Sequence, residues 1–122
     1  MVSRGPCRYH ADMHTDPPQD FETFWPQFLA QHQNPLVRWA HVAALGCAIG
    51  AVSAARRGRL GRAVVLGGTA AALAVGAHHV LDGHGPQNLG QPLWGARGFL
   101  RLCIRTVTGS IHDDLARLNA PT

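Results

Sequence analysis

Eight histidines are spread unevenly along this 122-residue chain. His32 and His41 flank the break at Gln33-Asn34-Pro35, and a second polar cluster runs His78-His79-Val80-Leu81-Asp82-Gly83-His84-Gly85-Pro86. Neutral imidazoles and carboxylates bind iron, zinc, copper and manganese. Two or three histidines plus one acid, with positions left open, make the ligand set of non-haem Fe(II) oxygenases. A zinc hydrolase can use the same set. His32, His41, His78 and Asp82 are therefore the candidate metal ligands. Their spacing of nine, thirty-seven and four residues matches no short ligand motif, so the elements between them must bring them together.

Phe21, Phe24, Trp25, Phe28, Leu29 and His32 fall at i, i+3, i+4, i+7, i+8 and i+11. This is an amphipathic helix with an aromatic face that His32 closes. Proline is tolerated in the first turn of a helix, so Pro26 places the regular start near Thr23. Asn34-Pro35 reads as an N-cap with proline at the first helical position, and a second helix runs from about Pro35 to Ala55. Arg56-Arg57-Gly58-Arg59 is a basic turn, and a third helix follows from about Arg62 to Asp82. Residues 42–55 and 63–77 carry no charge. Each helix, about 20 residues at about 1.5 Å per residue, reaches roughly 30 Å and can cross a bilayer. Small residues such as Ala44, Gly46, Gly50, Gly67 and Gly68 let the two pack closely in lipid. The alternative is an Ala/Gly hairpin buried in a soluble core.

The antiparallel geometry sets where the histidines go. His41 lies fourteen residues before Ala55 and His78 sixteen after Arg62, about 21 and 24 Å of helix. The two reach similar heights at the end far from the arginine turn. His32 folds back to that end through the tight break, and Asp82 shares a face with His78 at i+4. Desolvating several imidazoles without a partner is costly, and coordination supplies one. Arg38 is placed to bind a substrate carboxylate. His79 and His84 would face the substrate or support the ligands, and Asn34 joins these candidate catalytic residues besides its role as a cap.

The rest of the chain is less informative. Residues 1–19, with Gly5, Pro6, Pro17 and Pro18, form a loose arm, and His10 and His14 within it are a surface pair. They lack the apolar run of a signal peptide. Residues 94–108 set Arg97, Arg101 and Arg105 opposite Phe99, Leu100, Cys103, Ile104 and Val107. Such a helix lies at a membrane interface with its arginines toward phosphates, or docks on the domain with a solvated charged face. A short helix and tail close the chain. All eleven cationic side chains are arginine, and the net charge is +4. No aromatic-interleaved basic stripe points to nucleic acid. Three separated cysteines indicate neither a zinc ribbon nor a disulfide framework. The expected architecture is an all-α membrane bundle: one helical domain over 20–118, built on the apolar hairpin with flanking amphipathic helices, and a tail at 119–122.

Phe24-Trp25 with Phe28-Leu29, then His32, Asn34-Pro35, Arg38 and His41, resembles the N-terminal signature of the yeast 2-hydroxy fatty acid dioxygenase family. His78, Asp82, Pro86 and Pro92-Leu93-Trp94 are similar to its second block. The family has glutamate more often at the position of Asp82, and an acid after Trp94 is absent around Gly98-Phe99. The resemblance implies a small helical membrane protein that uses Fe(II) and O2 to remove one carbon from a 2-hydroxy fatty acid or related lipid; a bacterial inner membrane is the expected location. His32, His41 and His78 match family histidines, and Asp82 stands where the acid is expected. A non-catalytic membrane scaffold and a zinc hydrolase with the same ligands are the competing readings.

Overall fold

The computed structural model describes residues 20–83 and 92–121. Among these there are five α-helices and no strand: α1 (Phe21–Ala30), α2 (Pro35–Arg56), α3 (Leu60–Ala77), α4 (Pro92–Thr108) and α5 (Ile111–Leu118). A π-helical turn, His78–Asp82, continues α3. The expected arm with His10 and His14, and His84 in the loop after Gly83, lie outside the described residues.

The long hairpin follows from its ends. Asn34 caps α2, its side-chain oxygen accepting from the Leu36 N–H at 2.9 Å with Pro35 in the first turn. At the tip, Gly58 takes a left-handed φ of 75°. This lets the Arg59 N–H reach the Ala54 carbonyl at 2.9 Å and the Gly58 N–H reach Ala55 at 3.0 Å, the paired bonds of a Schellman motif. The chain then turns straight into α3. At Gly50 an added Cβ would lie 3.2 Å from the Leu66 Cδ1, so the small residue lets the two helices approach.

Both hairpin helices are long and apolar enough to cross a membrane. Within the chain, only 22% of the apolar window of α2 and 11% of that of α3 with its π turn is buried. Ile49, Val52, Leu60, Val64 and Val65 are exposed. A hairpin serving as a soluble core would have these residues inside, so the buried-hairpin alternative does not describe this fold.

The core lies elsewhere. Phe21, Phe24, Trp25, Phe28 and Leu29 of α1 pack with Leu102 of α4 and Ile111 of α5, joined by Trp94, Phe99, Leu115 and Leu118. Contrary to the expected start near Thr23, α1 begins at Phe21. Asp20 caps it, accepting from the Thr23 N–H at 2.7 Å. Pro26 sits inside the helix, where its missing N–H would have met the Glu22 carbonyl. Both residues are on the exposed side, where solvent can satisfy that carbonyl and the helix continues.

The arginines of α4 also depart from expectation. Arg97 stacks over the Phe21 ring at 4.0 Å, and Arg101 over the Trp25 ring at 4.7 Å. Arg101 also approaches Glu22 at 3.6 Å, and Arg105 pairs with the buried Asp114 of α5 at 3.1 Å. They bind the neighbouring helices rather than form a stripe aimed at phosphates.

Candidate metal centre

Three elements deliver three histidines to one point. His32 follows the end of α1, where the backbone N–H groups of Gln31 and His32 bond the Phe28 and Leu29 carbonyls. Arg38, in the first turns of α2, donates through Nη1 to the carbonyls of His32 at 3.0 Å and Gln33 at 2.6 Å. It thereby fixes the corner that carries His32. His41 comes one turn later on α2, and His78 opens the π turn at the end of α3. All three are buried, at 3%, 4% and 2% exposure.

Their ring nitrogens define the chemistry. His32 Nδ1 lies 2.6 Å from the Phe28 carbonyl, and His41 Nδ1 lies 2.9 Å from the Val37 carbonyl. A carbonyl only accepts, so both Nδ1 atoms carry the proton, and this assigns the tautomers from their partners. His78 Nδ1 lies 3.1 Å from the Asp82 carboxylate, which when ionised likewise only accepts. All three Nε2 atoms are therefore left with lone pairs. Yet His32 Nε2 is 3.2 Å from that of His41 and 3.1 Å from that of His78.

Lone pairs facing each other in a buried site carry an unmet polar cost, which a cation between them would remove. A proton is disfavoured, because burial, before any other cause, pushes the His32 imidazole down to about 3. A divalent metal suits this donor set, and the two separations from His32 Nε2 are of the right size. Ligand nitrogens about 2.1 Å from one ion, at octahedral to tetrahedral angles, lie about 3.0–3.4 Å apart. The three histidines form a group whose ligand atoms all lie within 4.8 Å of one another. The Nδ1 contacts to two carbonyls and a carboxylate are the supports that orient metal-bound histidines and raise their basicity.

The structure brings His32, His41 and His78 together. Asp82 sits behind His78, on its outer nitrogen, rather than among the three converging ones. Asn34 uses its side-chain oxygen as the helix cap. His79 is exposed and is not among the three grouped histidines. Arg38 is buried and spends Nη1 on the corner, while its Nε has no hydrogen-bond partner. Among the described residues no cysteine joins the three histidines; Cys103 is packed in the head formed by α1, α4 and α5, where burial pushes its thiol up to about 11.

Three residues around the site were not singled out from sequence as part of it. The Phe28 ring stacks on His32 at 4.2 Å, and Phe99 packs on His41 at 5.3 Å. Gly98 makes this possible, since a Cβ there would lie 3.3 Å from both the Phe24 and the Phe28 rings. A glycine inside a helical pattern was the available signal.

Fold and site together define a small all-helical protein with a buried three-histidine centre at the base of an apolar hairpin. Residues 18–111 match the family model described as 2-hydroxy-palmitic acid dioxygenase Mpo1-like. The chain belongs to the Mpo1-like family. No curated protein and no solved structure matches it.

Proposed function

We propose that this chain is a membrane-embedded, Fe(II)-dependent dioxygenase that shortens a 2-hydroxy fatty acid by one carbon. The observation that carries the proposal is the convergence of three Nε2 lone pairs in a buried site whose outer nitrogens are all engaged. Family membership adds the substrate class. The exposed apolar faces of α2 and α3 supply the reason for a membrane.

His32, His41 and His78 would hold the iron, and Asp82 would keep His78 oriented with its lone pair inward. Iron held there would supply the redox chemistry that joins the hydroxy acid to O2. Atoms balance if the 2-hydroxy acid and O2 yield the acid one carbon shorter, CO2 and water. Arg38 holds the His32 corner, and its free Nε is the donor available to a substrate carboxylate. Phe28 and Phe99 cover two of the imidazoles and keep water from them. The acyl tail would run along the apolar hairpin.

The test is O2 uptake by anaerobically purified, Fe(II)-loaded protein given a 2-hydroxy fatty acid, with the shortened acid identified by mass. His41→Ala should abolish turnover and keep the helical circular-dichroism spectrum. Turnover retained by that variant would sink the assignment, and so would shortened acid formed without O2.

A further inference from the structure

The exposed side of α4 is largely apolar. Leu93 is 85% exposed, Leu100 48%, Ile104 61% and Val107 62%. At i, i+7, i+11 and i+14 these four make one stripe along the helix. Arg97, exposed at one border of this stripe, lies over Phe21, while Arg101 and Arg105 lie off it, held by Trp25, Glu22 and Asp114. A helix docked on a water-facing domain has the opposite pattern, with its apolar face inward and its charges outward. α4 uses an apolar face twice: Leu102 and Cys103 are buried in the head, and the second face has no partner within the chain.

We infer that this stripe is seated in lipid acyl chains, so that the histidine end of the protein, and not only the hairpin, is embedded in the membrane. This rests on the membrane reading of the hairpin. What favours lipid over a protein partner is continuity. α4 packs against α2, whose first turns expose Leu36 at 62% and Trp39 at 54%. Both helices of this packed pair thus expose apolar side chains, Trp39 among them, of the type that membrane interfaces favour.

The functional consequence follows from Phe99. It lies on α4 between the stripe residue Leu100 and the buried Gly98, and it packs on His41. Lipid against α4 is therefore one helix away from the histidine centre. An acid with a long tail can reach that centre sideways from the bilayer, its carboxyl end leading and its tail remaining among acyl chains. No passage through water is required.

The experiment is photocrosslinking in native membranes with the full chain. Benzoylphenylalanine replaces, one at a time, Leu100 and Ile104 on the stripe, Val64 on the hairpin and Asp113 on the exposed side of α5. Lipid adducts at Leu100 and Ile104 in yields comparable to Val64, with none at Asp113, are expected. Lipid at Val64 with none at Leu100 and Ile104, or with a protein adduct there, would overturn this inference and leave the membrane hairpin standing. Absence of lipid at all four positions would remove the membrane reading and this inference with it.

Discussion

The two halves of this molecule solve opposite problems. The head, α1 with α4 and α5, builds its own interior: Phe24 is 1% exposed and Leu102 0%. The hairpin, α2 with α3, leaves Val64 73% exposed and Val65 67% exposed. Head side chains are therefore held by each other, and hairpin side chains by whatever solvent surrounds them. The histidine centre sits at the seam, with His32 delivered by the head and His41 and His78 by the hairpin. Such a site exists only while both halves are docked.

Substitutions should separate the halves. Phe24→Ala removes a ring that meets Phe21, Phe28 and Trp94 and should cost about 3–5 kcal/mol. Val64→Ala, on the exposed hairpin face, should cost within about 0.5 kcal/mol. Thermal unfolding of the two variants in the same lipid measures the contrast, and equal losses would erase the distinction between the halves. Gly98→Ala presses a methyl against two buried rings and should cost about 1–3 kcal/mol. By contrast, Gly67→Ala, where a Cβ meets nothing within 4 Å, should be tolerated.

The seam is sharpened by Asp82→Asn. This keeps the shape but weakens the support on His78 Nδ1, and metal affinity should fall about 10–100-fold with the fold unchanged. Competition with a chelator reads it out. Acid acts on the same seam. His32 is held well below its ordinary 6.5, at about 3, so between those values the unfolded chain binds more protons than the native one. Stability of the metal-free protein should therefore be unaffected by His32 above pH 6.5 and fall as pH drops below it. Thermal midpoints at pH 7, 6 and 5 test the sign, with the metal-loaded protein shifted to lower pH because protons must displace the ion.

Much of the hairpin was legible because its signals are local. Asn34-Pro35 and Gly58 mark the ends, and uncharged runs mark the spans. Helix length then placed His41 and His78 at one height, and the rings are found 5.1 Å apart. What stayed hidden depends on packing. The π turn at His78–Asp82 has no sequence signature distinct from an α-helix with the same residues. Pro26 looked like a boundary because its tolerance depends on which carbonyl faces solvent. The periodicity of Arg97, Arg101 and Arg105 gave the stripe but not its direction, which the rings of Phe21 and Trp25 decide. Phe99 became part of the site only through Gly98, a contact between helices about 70 residues apart in sequence from Phe28.

On the proposed function the three inward-facing histidine nitrogens hold a metal. Elemental analysis of anaerobically purified protein, wild type beside His78→Ala, addresses it directly. About one iron per chain, lost in the variant while the helical content stays, is the predicted result. Wild-type protein that remains metal-free after Fe(II) reconstitution and keeps its fold would contradict it.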